Sequence, residues 1–255
     1  MIFKKNNPGG PCCECPCYKF NDNAEDSTGN KHLTATSEAY ADGILGRAGS
    51  FTGSSHYTHA HDDCFSPAAS DGVWRMWFWF KKVTEPTDNA HEYHGIITKG
   101  SYSSEGSPAV TSFDGEWGVF YKFGGSGDSI HFLYKSNLVA LGVMGGSQAA
   151  LDTWYFLHFQ INHTTKACDF IAYFPSGSDV ICPTLGCTST PNISGDMSVT
   201  DTPLRIGNNT GTNGQILGAN GGALLIDNVG FSNKPGTAAN LYNSGVGKAC
   251  PNQGK

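Results

Sequence analysis

Charged residues are scarce in this chain: Lys, Arg, Asp and Glu make up 15% of its 255 residues, and the formal net charge is −6. The basic residues form no run longer than pairs such as Lys4-Lys5 and Lys81-Lys82. Because binding to nucleic acid phosphates requires a basic surface, this composition excludes nucleic acid as the main partner.

Long apolar runs are missing as well. A helix that spans a bilayer needs about 20 predominantly apolar residues, and no stretch of this sequence supplies them, so membrane insertion is not expected. The opening MIFKKNNPGG lacks the apolar stretch of a secretory signal. We interpret this as a removed signal or as exit from the cell by another route, such as lysis.

Catalytic motifs are the third absence. The sequence has no GxSxG and no Walker loop, and the HEYH at 91–94 is not HExxH because its second His comes too soon to share a helix face. Glycosidases need two carboxylates that flank the scissile bond, whereas Glu116 stands alone on its predicted strand. The sequence therefore predicts a protein that is not an enzyme, with no catalytic residues.

Cysteine, in contrast, is abundant, with nine residues. This number favours an oxidising environment, outside the cell or on a virion surface. The dense CCECPC run is open to two interpretations, metal binding by thiolates or disulfide bonding, and we favour disulfides, one of them to the C-terminal cysteine. The cysteines expected in a disulfide or thiolate cluster are Cys12, Cys13, Cys15, Cys17, Cys182, Cys187 and Cys250.

Glycine (33 residues) and aromatics (12%) suit short strands joined by tight turns. In VWRMWFWFKKV, alternation places Trp74, Met76 and Phe78 on one face of a strand and Trp77 and Trp79 on the other. Similar strands recur at regular spacing, which predicts an all-β fold of two antiparallel sheets. The predicted strands are Val73–Val83, Tyr93–Lys99, Glu116–Phe123, Ser129–Lys135, Trp154–Asn162, Cys168–Phe174, Leu204–Gly207 and Leu224–Phe231; Thr237–Asn243 is predicted as a short helix.

The order of several segments resembles a known family. YKFNDNAEDSTGN opens the series, WRMWFWFKK and GIITKG follow as core strands, and LRIGNN, LLIDNVGFSNK and AANLYNSG close it. This order is similar to the LamG-like jelly rolls of the concanavalin A-like lectin/glucanase superfamily. The resemblance implies a jelly-roll domain over residues 18–248, a Cys/Pro/Gly-rich leader at 1–17 and a tail at 249–255.

The resemblance also implies a calcium site. It brings Asp26, in the DSTGN loop, near Asp227, in IDNVG, and Asp22, Asn30 and loop carbonyls would complete a shell of hard oxygen ligands. Ca²⁺ is the only cofactor that we expect. The alternative is that Asp26 caps a turn through its own backbone and Asp227 pairs with a neighbouring amide.

A glycan site is predicted on the sheet face that carries Trp77 and Trp79. His158, Gln160 and His131 are assigned to the same face. Aromatic rings stack on sugar C–H faces, and the polar side chains supply directional hydrogen bonds. The alternative is that loops or a second layer cover these rings.

The segment HYTHAHDDC, residues 56–64, has the ligand types of a Zn²⁺ or Cu²⁺ site. The competing interpretation, which we favour, is a solvated polar loop.

Two functions from different classes follow. The first is a non-catalytic recognition module that binds a surface polysaccharide or glycoprotein, as a bacterial surface protein or a virion appendage. The second is a structural decoration protein of a larger assembly, attached to other subunits through residues 1–17. A glycoside hydrolase with an unfamiliar carboxylate pair is the third and least favoured hypothesis.

Overall fold

The computed structural model describes residues 15–52, 55–70, 72–84, 93–102, 113–122, 129–134, 137–143, 150–173, 199–207, 223–237 and 240–241. Within these residues the fold is all-β: fourteen strands form two antiparallel sheets of seven strands each. The predicted fold class, a two-sheet antiparallel sandwich, is confirmed.

The strands in chain order are β1 (Cys17–Tyr18), β2 (Thr34–Thr36), β3 (Tyr40–Asp42), β4 (Arg47–Phe51), β5 (His56–His59), β6 (Val73–Lys82), β7 (Tyr93–Tyr102), β8 (Phe113–Lys122), β9 (Ser129–Tyr134), β10 (Asn137–Val143), β11 (Trp154–Asn162), β12 (Cys168–Tyr173), β13 (Leu204–Ile206) and β14 (Leu224–Ser232). Two 3-10 turns, Asp63–Phe65 and Pro67–Ala69, lie between β5 and β6.

The first sheet has the strand order β12-β11-β6-β14-β4-β3, and β1 pairs with β14. The second sheet has the order β10-β9-β8-β7-β13-β5-β2. Neighbours in both sheets are often distant in sequence, so most pairings are long-range and cannot form from a local hairpin alone.

Aromatic side chains fill the space between the two sheets. From β6, Trp74, Met76 and Phe78 face this core and are fully buried. The ring of Trp74 lies 5.2 Å from that of Trp117 on the second sheet, measured between centroids. Tilted ring pairs of this kind add to the free energy of area burial. The inward face predicted from alternation is therefore correct.

All eight strands predicted from the sequence are present, with ends shifted by up to three residues. Strand β10 and the short strands β1 to β5 were not predicted. Residues 240–241 are helical, and most of the predicted helix Thr237–Asn243 lies outside the described residues. In the part of the chain described, no helix has the length and apolar character needed to cross a membrane.

Gly207 is required by both its backbone conformation and its packing. Its φ is +95°, and a Cβ there would lie 1.8 Å from the ring of Phe51. We expect Gly207→Ala to lower the free energy of unfolding by about 3 kcal/mol, from overpacking and left-handed strain together. Urea denaturation measures this, with Gly72→Ala as the control because a Cβ at Gly72 meets nothing within 4 Å. Equal effects of the two substitutions would contradict the packing described here.

Candidate functional site

The outer face of the first sheet is covered rather than open. Trp77 and Trp79 are 3% and 1% exposed, respectively. Their rings belong to a second apolar cluster, outside the core between the sheets, together with Phe156, Tyr173 and Leu241. A ring buried in this way offers no face to a sugar. The proposed stacking platform of Trp77 and Trp79 is therefore wrong for this structure, and the alternative of a covering layer describes it.

The remaining residues of the predicted glycan site do not form one surface either. His158, on β11 opposite Trp77, is 1% exposed. Gln160 is half-buried, and its side chain accepts a hydrogen bond from the Gly236 amide at 3.4 Å. His131 lies on β9, in the second sheet. Assigning His131 to the face of Trp77 was wrong because alternation fixes faces within a strand and not the sheet to which a strand belongs.

His158 is buried without a hydrogen-bond partner for either ring nitrogen among the described residues. Burial, and secondarily the nearby charge of Arg75, lower the pKa of His158 to about 3. The imidazole is therefore neutral in the folded chain at pH values above this lowered pKa. In the unfolded chain it takes up a proton below its ordinary pKa of about 6.5.

This shift makes folding sensitive to acid. Between about pH 6.5 and pH 3 the unfolded state binds one more proton at His158 than the folded state does. The contribution of His158 to the free energy of unfolding is therefore full above pH 6.5 and falls as the pH falls. We expect the wild type to lose about 2 kcal/mol from this group between pH 6.5 and 4.5. In urea titrations at both pH values, His158→Gln should lack that part of the loss, whereas His163→Gln should retain it. An unchanged acid sensitivity in His158→Gln would contradict the buried neutral imidazole.

Asp26 and Asp227, the two central calcium ligands expected from the resemblance, are each surrounded by hydrogen-bond donors. Asp26 accepts bonds from the backbone of Cys17 at 2.9 Å and Thr28 at 3.1 Å, and from the Thr28 hydroxyl. Asp227 is fully buried and accepts backbone bonds from Ile44 at 2.9 Å and Leu45 at 3.2 Å. N–H groups that point at a carboxylate occupy the positions that a cation would need.

The other two proposed calcium ligands are oriented elsewhere. Asp22 is exposed and pairs with the Arg47 guanidinium at 3.1 Å. The Asn30 side chain donates to the Thr28 carbonyl. Among the described residues, no three acidic, His or Cys side chains gather as a metal site. The four residues therefore do not fit a shared calcium shell in this structure. Burial raises the pKa of the Asp227 carboxyl to about 6.

The HYTHAHDDC segment is likewise dispersed. His59 packs its ring on Phe65, and the Nδ1 atom lies 2.6 Å from the Ala60 carbonyl. Asp62 caps the first 3-10 turn and pairs with Lys31. Cys64 points into the core. These side chains hold a turn instead of converging on a metal.

Cysteines behave differently from one another. Cys17 is disulfide-bonded, and Cys15 and Cys64 are buried in the core between the sheets. The predicted cluster residues Cys12, Cys13, Cys182, Cys187 and Cys250 lie outside the described residues, so the pairing with Cys250 stays a prediction.

A buried ion pair at the second sheet was not predicted. The Lys99 ammonium lies 3.0 Å from Glu116 Oε2, and both side chains are fully buried. Register shifts between β7 and β8 beside this pair, so Glu116 is the additional residue of a β-bulge. Ser66 donates to the same carboxylate at 2.8 Å, which ties the turns before β6 to the second sheet. Glu116 thus has a structural environment closed to solvent.

Breaking this pair should be costly, because removal of one partner leaves the other charge buried and unpaired. We expect Lys99→Met to lower the free energy of unfolding by about 3 kcal/mol. The double variant Lys99→Met/Glu116→Leu should recover most of this loss. Arg47→Gln, which breaks two exposed pairs, with Asp22 and Asp42, should cost less than about 1 kcal/mol. Urea denaturation of the four proteins tests this, and a double variant no more stable than Lys99→Met would refute the coupling.

The outer face of the second sheet carries an accessible polar row. Thr34, Thr58, Arg205 and Thr98 are directly opposite one another on the adjacent strands β2, β5, β13 and β7. Their neighbours in the strands, such as Tyr57 and Ile206, face the core, so the row points outwards. Thr34 is exposed, Thr58 and Arg205 are partly exposed, and Thr98 is covered. We call Thr34, Thr58 and Arg205 the polar row.

Arg205 has no counter-ion among the residues that the structure describes, since no carboxylate of these residues lies within ion-pair distance of its guanidinium. Partial burial lowers the pKa of Arg205, but the group stays charged at neutral pH. A guanidinium presents a planar fork of donors that matches a carboxylate in two parallel hydrogen bonds. The sequence reasoning missed this residue, although its position between Leu204 and Ile206 in an alternating strand was a usable signal.

Aromatic surface is limited by contrast. Of the five tryptophans in the chain, Trp74, Trp77, Trp79 and Trp117 are buried, and Trp154 is partly exposed. The Lys81 ammonium lies 5.3 Å from the centroid of the Trp154 ring and occupies one of its faces. The surface of the described residues therefore presents polar groups more than open tryptophan rings.

The two packed sheets define an antiparallel β-sandwich, and several solved structures share this fold. The binding domain of botulinum neurotoxin serotype D superposes with a TM-score of 0.56 at 12% identity, over 88% of this chain and 48% of that one. No family model matches the chain, and a search of curated proteins found no match.

Two further similar structures are of proteins that interact with a carbohydrate ligand. One is botulinum neurotoxin type C, whose cell entry depends on interaction with two ganglioside molecules. It matches with a TM-score of 0.54 at 10% identity, over 91% of this chain and 50% of that one. The other is the Trypanosoma rangeli sialidase in complex with sialic acid, which matches with a TM-score of 0.58 at 10% identity, over 93% of this chain and 34% of that one. The chain thus spans about half of the toxin domains and a third of the sialidase, and the likeness shows the fold alone.

Proposed function

We propose that this protein is a non-catalytic recognition module that binds an acidic glycan or glycoprotein at a surface through the polar row on its second sheet. The observation that carries the proposal is the partly exposed Arg205, which lies beside Thr58 and Thr34 on an outward sheet face and has no carboxylate partner among the described residues. Its ligand would place a carboxylate on the guanidinium and sugar hydroxyls on the threonines.

The fold supports this class of function. The structures that share it include a botulinum neurotoxin binding domain, a botulinum neurotoxin whose cell entry depends on interaction with gangliosides, and a sialidase bound to sialic acid. Sialic acid is a sugar with a carboxylate, which is the group that an uncompensated guanidinium recognises. A lectin-like sandwich with this surface therefore fits an acidic sugar better than a neutral one.

The charge of the whole protein adds specificity. The net charge is −6, so an anionic polymer is repelled at long range unless it meets a local positive group. Recognition would then be restricted to Arg205 and would weaken as ionic strength rises. The disulfide at Cys17 supports a location in an oxidising environment, extracellular or on a virion surface.

Glycan-array binding followed by calorimetry with a sialylated oligosaccharide tests the proposal. We expect Arg205→Gln to weaken binding by tenfold to hundredfold, since a hydrogen-bonded charge contributes about 1.5–3 kcal/mol. Arg205→Lys should recover part of the affinity, because the charge remains while the two-pronged geometry is lost.

Lys234→Gln is the matched control, as it removes one exposed positive charge from the first sheet's side of the chain. It should bind as the wild type does. Binding of glycans that is indifferent to Arg205 would retain the class of function and reject this site. No binding to any glycan by the folded wild type would reject the function itself.

A further inference from the structure

His158 and Arg75 are buried close together on the outer face of the first sheet. The register of β11 and β6 places His158 opposite Trp77, and Gln160, two residues along β11, opposite Arg75. His158 is 1% exposed and Arg75 is 9% exposed. Among the described residues, neither the two ring nitrogens of His158 nor the Nε atom of Arg75 have a hydrogen-bond partner. Two basic side chains thus occupy adjacent rows of a covered face.

A short segment that follows β14 packs on this face. We call residues 233–237 the strap. A Cβ at Gly236 would lie 2.0 Å from the Nη1 atom of Arg75, so the backbone of the strap rests directly on the guanidinium. The guanidinium carbon also lies 5.6 Å from the centroid of the Trp77 ring. The strap therefore covers the charged group that contacts this indole.

Few interactions attach the strap to the sheet. The Gly236 amide donates to the Gln160 side chain at 3.4 Å, a long distance for such a bond. The other described hydrogen bonds of the strap are local ones between Lys234 and the Ser232 hydroxyl. Gly236 is half-buried, and the other residues of the strap are exposed. A segment with so little buried contact can open at a small cost in free energy while the sheet below it stays folded.

The charged groups around His158 leave a proton on its ring uncompensated. The titratable and charged side chains in the adjacent rows of this face and in the strap are Arg75 on β6, Asp169 and Tyr173 on β12, Asp227 on β14 and Lys234. Asp169 is exposed, and Asp227 accepts the amides of the loop before β4. Within the described ranges, no carboxylate forms an ion pair with His158 or Arg75. Protonation would therefore place a second positive charge near Arg75 under the strap.

Opening of the strap would relieve this repulsion, because water then solvates both groups. In the closed form, burial and secondarily Arg75 hold the pKa of His158 at about 3. A solvated imidazole has a pKa of about 6.5. The open form therefore binds the proton more tightly, and its equilibrium constant rises by about two orders of magnitude between neutral pH and pH 4.5. Acid favours the open form, and neutral pH favours the closed one.

We propose that residues 233–237 form an acid-operated strap: protonation of His158 near Arg75 lifts the strap from the outer face of the first sheet while both sheets stay folded. The proton comes from the solvent, and its loss at neutral pH allows the strap to return. Opening also lets the guanidinium of Arg75 turn to water and uncovers the Trp77 ring that it contacts. The glycan proposal does not depend on the strap, because Arg205 lies on the second sheet.

An NMR titration of the full, isotope-labelled chain between about pH 7.5 and 4 tests the strap. The imidazole of His158, the backbone amide of Gly236 and the indole N–H of Trp77 report the opening. The indole N–H of Trp117, in the core between the sheets, reports whether the sandwich stays folded. We expect the first three to shift with a common midpoint between about pH 4 and 6, while the Trp117 signal keeps its folded position. An unchanged Gly236 amide, or loss of the folded Trp117 signal at the same midpoint, would overturn the proposal.

Two pairs of variants separate the strap from a general effect of acid. His158→Gln should abolish the acid shift of the Gly236 amide, whereas His163→Gln should retain it. In Gly236→Ala the new Cβ would meet Arg75 and displace the strap, so the midpoint of His158 should rise by about one pH unit. Gly72→Ala should leave the midpoint unchanged, because a Cβ there meets nothing within 4 Å. A Gly236 shift that survives in His158→Gln, or a midpoint that Gly236→Ala does not move, would contradict the role of the strap.

Discussion

Strand β6 buries aromatic side chains on both of its faces. Trp74 and Phe78 pack against the second sheet, and Trp77 and Trp79 pack beneath a layer that includes Leu241. Each such ring removes about 150–250 Å² from water, which favours folding by several kcal/mol before conformational entropy is subtracted. Because this strand lies between β11 and β14, both faces of the centre of the first sheet are occupied. On the outer face of the second sheet, in the described part of the chain, the strands β2, β5 and β13 carry exposed or partly exposed side chains at Thr34, Thr58 and Arg205.

Buried polar groups then connect the loops to this aromatic framework. Asp227 receives amides from the loop before β4, Asp26 receives amides from β1 and its own turn, and Glu116 holds Lys99 and Ser66. The carboxylates of Asp26 and Asp227 are satisfied by donors of the chain, as buried polar groups usually are, whereas Oε1 of Glu116 has no hydrogen-bond partner among the described residues. The acidic residues expected to bind calcium thus have a role in loop positioning. Arg205 differs from them in that no opposite charge faces its guanidinium among the described residues.

The sequence alone predicts the two-sheet sandwich correctly, but it does not predict which side chains on the outer faces of the sheets are exposed. Alternation in Val73–Lys82 identified correctly which side chains face the core, since a strand has a fixed two-residue period. Trp77 is buried in a cluster whose members include Leu241, far along the chain, and no local sequence pattern reports such long-range packing. The sheet assignment of His131 failed for the same reason, because strand order is a property of long-range pairing. The bulge that turns Glu116 towards Lys99 is a single-residue shift in register, which has no sequence signal of its own.

A titration of the ¹⁵N-labelled chain with a sialylated oligosaccharide, followed by NMR, tests the account most directly. The indole N–H resonances of Trp77 and Trp79 report the outer face of the first sheet, and the backbone amides of β2, β5 and β13 report the polar row. The account predicts shifts at Arg205 and Thr58, with the indole signals of Trp77 and Trp79 unchanged. Shifts of those two indoles, with the polar row unaffected, would contradict it.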